Sequence, residues 1–139
     1  MQSFFDVYVY LTDKNKVAPD IAVVCGKDIV KKDGIHGTPD LIAEVLSAGT
    51  SARDRAEKKN LYEKHGVKEY WIVSAEGRSI EVYLLENDRY CLDNTYAVHD
   101  DFDLSEMTEE EKAAVITEFK TSIFDDLLIS VEEVFKDIQ

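Results

Sequence analysis

The apolar run LIAEVLS at 41–47 contains one ionisable residue, Glu44. A nearly continuous run of this length and composition predicts a central β-strand that is buried on both faces of a sheet. An ionised carboxylate inside such a strand is costly unless it is paired with a cation or coordinates a metal. The run therefore predicts both a sheet centre and a functional or paired carboxylate within it.

The rest of the sequence predicts an α/β arrangement. Hydrophobic patterning, turn residues and helix-capping signals place the elements as follows: strands at 4–11, 21–25, 41–47, 67–74 and 79–86, a further short strand or turn pair at 87–94, polar loops at 12–16 and 26–39, and helices at 51–65, 109–119 and 131–138. Ser51 with Asp54 and Gly66 mark the two ends of the first helix. The length of 139 residues fits a single domain, with a sheet-and-helix core at 1–92 and acidic C-terminal helices at 100–139.

Charge is distributed unevenly along the chain. The net charge is −13, but residues 1–85 hold 13 acidic and 12 basic side chains, whereas 86–139 hold 16 acidic and 4 basic ones. The most basic segment is 53–68, directly after the Glu44 strand. A pI near 4.5 argues against nucleic-acid binding by the whole surface, yet the acidic excess lies away from this segment.

The composition excludes several kinds of site. No apolar run is long enough for a membrane span, and a cytoplasmic protein is expected. Cys25 and Cys91 are 66 residues apart and lack the spacing of a zinc site, so both are predicted to be small buried hydrophobic residues.

Five segments occur in an order that resembles a known family: PDIAVV at 19–24, PDLIAEVLS at 39–47, TSARDRAEKKNLY at 50–62, GVKEYWIV at 66–73 and SVEEVFKDI at 130–138. They are similar to the restriction endonuclease domain family that forms a bacterial branch of the PD-(D/E)XK nuclease superfamily. The resemblance implies a restriction-endonuclease-like mixed central sheet flanked by helices. It covers about 5–92, so the family's N-terminal helix is expected to be missing, which would leave a bare sheet face and favour a homodimer.

The resemblance also implies a metal-dependent endonuclease that hydrolyses phosphodiester bonds of nucleic acid, with DNA as the expected partner. Asp20 and Glu44 match the family's catalytic carboxylates and would hold Mg²⁺ or Mn²⁺, with Asp40 as a further metal ligand and the Val45 carbonyl oxygen beside them. The usual lysine two residues after the glutamate is absent, because Leu46 occupies that position.

The family's lysine would then come from the following helix. Lys58 matches best as the third catalytic residue, and Lys59 is the second choice. Arg55 and Tyr62 lie on the same helix and would contact the substrate.

Each of these residues also has an ordinary structural interpretation. A Pro-Asp pair before a strand is commonly a turn cap, and Glu44 with Lys58 could form a structural ion pair. The alternative function is accordingly a catalytically degenerate, shortened nuclease-like interaction domain.

Overall fold

A six-stranded sheet is built around the strand that contains Glu44. The structure is a computed structural model and describes residues 2–26, 28–47, 49, 52–123 and 128–136. The strands are β1 (Gln2–Phe5), β2 (Val9–Tyr10), β3 (Lys16–Val17), β4 (Ile21–Val24), β5 (Val30–Lys31), β6 (Gly34–His36), β7 (Leu41–Leu46), β8 (Glu69–Ser74), β9 (Ser79–Glu86), β10 (Arg89–Ala97), β11 (Glu118–Lys120) and β12 (Leu128–Ser130). The helices are α1 (Ala52–Lys64), α2 (Asp101–Ser105), α3 (Glu109–Ala113) and α4 (Val131–Val134).

The large sheet has the strand order β1-β4-β7-β8-β9-β10. Its β7 and β8 are parallel, while the neighbouring pairs on either side are antiparallel. Parallel neighbours need a crossover connection, and α1 provides it. Leu41, Ile42 and Ala43 are buried, which confirms the prediction of a central strand buried on both faces.

Helix α1 occupies the predicted segment and ends where the sequence indicated. Gly66 has φ +79°, a left-handed conformation that glycine adopts without strain, and it lies two residues after Lys64, the last residue of α1. Ser51, the predicted N-cap, lies outside the described residues.

The N-terminal third differs from the predicted single strand at 4–11. Asp6 has φ +50° and breaks that segment into β1, in the large sheet, and β2, in a second sheet. The predicted loop at 26–39 contains β5 and β6, which complete this four-stranded sheet in the order β3-β2-β6-β5. The glycine and lysine content predicted a loop, because the local preference for strand is weak. Pairing of β6 with β2 compensates for this weak preference, so strands form.

The two faces of the large sheet carry separate hydrophobic cores. Residues such as Ile42 and Tyr70 pack against Tyr62 of α1 and against the inner face of the small sheet. Leu41 and Trp71, on the opposite face, pack against residues of the C-terminal segment that include Phe119. The face predicted to be bare is therefore covered by this chain, and the physical reason for expecting a dimer does not hold at this surface.

The C-terminal segment contains less helix than predicted. The capping box of Thr108 and Glu111 is present and opens α3, but the helix ends at Ala113, and β11 pairs with β12 instead. The predicted helix at 131–138 begins at Val131 after the N-cap Ser130, and residues 137–139 lie outside the described residues. Phe119 explains the early end of α3, because its ring stacks on Tyr96 with centroids 4.0 Å apart.

The two cysteines do not occupy the core. Both are exposed, so the prediction of buried cysteines was wrong. Cys25 follows the last residue of β4, and Cys91 lies on β10 at the edge of the sheet, where alternate side chains face solvent. No helix in the described part of the chain is long and apolar enough to cross a membrane.

Candidate active site at the β4–β7 junction

Glu44 projects from β7 toward α1. Only 7% of its side chain is exposed, although it is an acidic residue. Its Oε1 accepts a hydrogen bond from the backbone N–H of Asp20 at 3.0 Å. Its Oε2 lies 2.8 Å from Nζ of Lys58 and has no other polar partner within the described residues. The buried carboxylate is thus fixed at one oxygen and charge-balanced at the other.

Asp20 also makes a side-chain hydrogen bond to the strand that contains Glu44. Its Oδ2 accepts a hydrogen bond from the backbone N–H of Val45 at 2.7 Å. Since Ile21 pairs with Ala43, Asp20 and Glu44 are the next residues of the antiparallel register and project from the same face. Side chains placed opposite one another in this way have Cβ atoms about 5 Å apart. The structure brings both predicted carboxylates together.

The backbone of Val45 presents a further oxygen at this place. In an extended strand the N–H and C=O groups of one residue point toward the same neighbouring strand. The N–H of Val45 points toward Asp20, beyond the last β4–β7 pair, Ile21 with Ala43. The carbonyl oxygen of Val45 therefore faces the side on which Asp20 lies.

Lys58 and Lys59 occupy different environments on α1. Lys58 reaches Glu44, and this ion pair raises the pKa of its ammonium group, with a smaller contribution from Asp20. Nζ of Lys59 lies 4.0 Å from the ring centroid of Tyr83. The structure therefore brings Lys58, and not Lys59, to the predicted carboxylates.

Burial controls the protonation of Glu44. Removal from water raises the pKa of this carboxyl above its ordinary value of 4.5, and the opposing effect of Lys58 is smaller. Lys58 is half exposed, so its ammonium group stays hydrated, whereas the carboxylate of Glu44 is almost completely buried. The ionised carboxylate is therefore held at this position against its own solvation preference.

Asp40 lies apart from the other predicted ligands. Its Oδ2 accepts a hydrogen bond from the backbone N–H of Cys25 at 2.8 Å, at the far end of β4. Four residues separate it from Glu44 along β7, which corresponds to about 13 Å. The structure shows Asp40 in the strand-capping role that a Pro-Asp pair commonly has.

The two residues predicted to contact substrate differ in accessibility. Arg55 is exposed on α1, whereas Tyr62 has no exposed surface and packs between α1 and the sheet. The hydroxyl of Tyr62 has no hydrogen-bond partner within the described residues. Burial and the nearby Glu44 both raise its pKa, so it remains a neutral donor.

Replacing Tyr62 with phenylalanine is expected to leave stability unchanged or to raise it by about 1 kcal/mol, because an unpaired buried hydroxyl is lost. Tyr90→Phe is the matched control, since the hydroxyl of Tyr90 donates to the Val67 carbonyl at 2.7 Å. That variant is expected to lose about 1 kcal/mol. Urea unfolding measures both, and equal losses would show that the Tyr62 hydroxyl has a partner.

The site offers few oxygen ligands for a hard divalent cation. Within the described residues, no group of three or more aspartate, glutamate, histidine or cysteine side chains could hold a metal. Mg²⁺, however, is commonly bound by one or two carboxylates together with water and substrate phosphates. The carboxylates of Asp20 and Glu44 and the Val45 carbonyl fit that smaller requirement.

A cavity opens beside this cluster. Its volume is about 480 Å³. It is lined by residues of α1 and of the segment after β7, namely Ser47, Gly49, Asp54, Glu57, Lys58 and Leu61. Of these, only Lys58 was predicted from sequence. Solvent thus reaches Lys58 from the side of α1.

Comparison with known proteins identifies the family. The model of the Uma2 family, described as "Putative restriction endonuclease", matches residues 2–115. The chain belongs to the Uma2 family. This finding confirms the resemblance inferred from the sequence segments, and it places the β4–β7 junction within the matched region.

Two individual proteins are similar to this Uma2 chain. An uncharacterized protein, slr1290, from Synechocystis sp. is 32% identical over 92 residues, which cover 66% of this chain and 48% of that protein. The chain thus spans about half the length of this curated relative. A crystal structure of a "putative nuclease belonging to DUF820" from Anabaena variabilis superposes with a TM-score of 0.64 at 17% identity, covering 96% of this chain and 67% of the other. That likeness shows a shared nuclease-like mixed α/β fold.

Proposed function

We propose that this Uma2 chain is a divalent-metal-dependent endonuclease that hydrolyses phosphodiester bonds of nucleic acid. The observation that carries the proposal is the convergence of Asp20, Glu44 and Lys58 at one end of the β4–β7 pair. These are the residues that the sequence resemblance assigns to the family's catalytic positions. DNA is the substrate to test first.

The roles of the side chains follow from their positions. Asp20 and Glu44 would hold the cation, with the Val45 carbonyl oxygen as a further ligand. Bound Mg²⁺ or Mn²⁺ supplies Lewis-acid activation of water and neutralises charge on the phosphate. Lys58 keeps a fixed positive charge within 2.8 Å of Glu44, where it would stabilise negative charge that develops during cleavage.

The charge distribution supports access of a polyanion from the α1 side. The strongly acidic C-terminal segment packs on the sheet face opposite to Glu44, through residues such as Phe119, Val131 and Phe135. The sheet therefore separates most of the acidic excess from the proposed site. Substrate binding should still be weak and should decrease as salt is added, because cationic contacts with phosphate are screened.

The alternative of a degenerate interaction domain has one specific observation in its favour. Lys58 already balances the charge of Glu44, as it would in a structural ion pair. The two hypotheses differ in what removing the lysine does. A structural pair predicts lost stability alone, whereas the nuclease hypothesis predicts lost cleavage.

Lys58→Met is expected to reduce Mn²⁺-dependent nicking of supercoiled DNA about 100-fold, which is typical of losing one electrostatic contact to the transition state. Lys59→Met is the matched control, because it removes the same charge from the adjacent residue, and its rate should stay within about threefold of the parent. The rate of nicked-product formation on agarose gels measures the effect.

All three proteins should be purified identically and tested with and without chelator. Equal rates for Lys58→Met and the parent would indicate a contaminating nuclease. Absence of cleavage by the parent on DNA and RNA would favour the interaction domain.

A further inference from the structure

The small sheet formed by β3, β2, β6 and β5 has two chemically different faces. Its inner face carries Val9, Val17 and Ile35, which pack into the core beneath α1. Alternate residues on or next to the same strands point the other way, namely Tyr8, Tyr10, Lys16, Lys31 and His36. This second set, called the aromatic face below, is not used by the proposed catalytic residues.

The aromatic face contains flat rings, and a lysine ammonium group lies over two of them. The rings of Tyr10 and His36 stack with centroids 4.4 Å apart and planes 14° apart. Nζ of Lys16 lies 3.9 Å from the ring centroid of Tyr8 and 5.6 Å from that of Tyr10. Tyr8 is 50% exposed, although its ring is large and mostly apolar.

The backbone holds these rings in place. The carbonyl oxygens of Tyr8 and Tyr10 accept hydrogen bonds from Ile35 N–H at 2.9 Å and Gly37 N–H at 3.0 Å. Gly34 is needed for this close pairing, since a Cβ there would collide with the Tyr8 carbonyl oxygen. The rings are therefore presented by two paired strands and not by a free loop.

Several lysines surround the aromatic face. Lys14, Lys16, Lys31 and Lys32 are all exposed on or beside it. Asp33 opposes them, but it is paired with His36 at 2.8 Å. Aromatic rings beside lysines bind single-stranded nucleic acid, because bases stack on the rings and ammonium groups neutralise phosphates.

The aromatic face is also connected to the proposed active site. The chain runs from Lys16, in β3, to Asp20 in four residues, a span of at most about 14 Å. A nucleic-acid strand could therefore contact both places at once. Stacking requires unpaired bases, since the faces of paired bases in a duplex are covered by their neighbours.

We propose that the aromatic face binds unpaired bases of single-stranded nucleic acid, through stacking on Tyr8, Tyr10 and His36. This inference rests on the proposed function in that it names a single-stranded segment as part of the nuclease substrate. Lys16 and Lys31 contact the phosphates of that segment.

The experiment measures binding separately from cleavage. A fluorescently labelled single-stranded 20-mer and the matching duplex are titrated with the Glu44→Gln protein in chelator, and anisotropy is recorded. In that background, Tyr8→Leu with Tyr10→Leu is expected to weaken single-strand binding about tenfold, as loss of base stacking does. Phe102→Leu is the matched control, because Phe102 is 71% exposed but lies among aspartates on α2, and it should bind as the parent does.

A second pair of variants tests the cation and guards against misfolding. Lys16→Gln should weaken binding several-fold, whereas Lys136→Gln, an exposed lysine of the acidic C-terminal segment, should have no effect. Circular dichroism and melting curves establish that each variant is folded.

Unchanged single-strand binding by the folded tyrosine and Lys16 variants would overturn the inference. It would also be overturned if the parent binds the duplex as tightly as the single strand and the variants weaken both to the same extent. Cleavage of single-stranded DNA by the wild-type protein in Mn²⁺ is scored independently. If the wild-type protein cleaves DNA but the tyrosine and Lys16 variants bind single strands as the parent does, only the aromatic-face inference is refuted. If these variants bind single strands more weakly but the wild-type protein does not cleave, only the proposed nuclease function is refuted.

Discussion

Replacing Glu44 with glutamine is expected to abolish metal-dependent cleavage and, at neutral pH, to increase thermal stability. The amide keeps the shape and the acceptor that Asp20 N–H uses, but it removes the negative charge that a divalent cation requires. It also removes the unfavourable burial of an ionised carboxylate. Lys58 loses its partner, yet it is half exposed and remains hydrated.

The stability effect should depend on pH in a defined direction. Because the pKa of Glu44 is raised in the folded protein, the folded state binds the proton more tightly than the unfolded state. The wild type should therefore lose stability relative to Glu44→Gln as pH rises from the ordinary value of 4.5 through the raised folded pKa. Below that window the two proteins should be similarly stable.

Melting temperatures between pH 4 and 8 provide the measurement. About 1 kcal/mol in favour of the variant at pH 7 corresponds to roughly 3–6 °C for a chain of this size. Mn²⁺ should raise the melting temperature of the wild type only, since a cation that binds the folded state stabilises it. A variant that is less stable at pH 7 and still cleaves DNA would contradict both parts.

Glu69→Ala is expected to produce the largest loss of stability, about 3 kcal/mol or more. Glu69 is 1% exposed and accepts three hydrogen bonds. They come from Trp71 Nε1–H at 2.6 Å, from Ser122 N–H at 2.7 Å and from the Ser122 hydroxyl at 2.5 Å. Alanine would leave the buried Trp71 N–H unpaired, and it would remove both contacts to Ser122 that tie the C-terminal segment to the sheet.

Urea unfolding should be compared with Glu76→Ala, which removes an exposed glutamate from the turn after β8. That control should change the free energy of unfolding by less than about 0.5 kcal/mol. Amide hydrogen exchange should show lost protection near Phe119 and Ser122 in Glu69→Ala. Equal effects of the two substitutions would show that Glu69 does not hold the segment.

The central part of the fold could be predicted because local and tertiary preferences agree there. The apolar run around Glu44 is buried on both faces, and a helix with a glycine end signal follows it. The pairing of Glu44 with a cation also followed from elementary physics, since a buried carboxylate needs one. The choice between Lys58 and Lys59 did not, because it depends on how α1 is rotated against the sheet.

The remaining differences arise from contacts distant in sequence. Glu69 gave no local signal, because its partner Ser122 is 53 residues away. The segment at 114–120 is a reasonable helix by itself, but Phe119 gains more burial in β11 against Tyr96. Similarly, the alternation of valine and tyrosine at 7–10 indicates a strand with two different faces, but not the sheet that it joins.

The contact between Lys58 and Glu44 would affect how tightly a divalent cation binds at this site. The charge of Glu44 is already balanced by an internal ammonium ion 2.8 Å away. A divalent cation held by Glu44 would therefore compete with Lys58 for this carboxylate and would not meet an unbalanced charge. The observed affinity of that cation would be the difference between two electrostatic contacts to the same carboxylate.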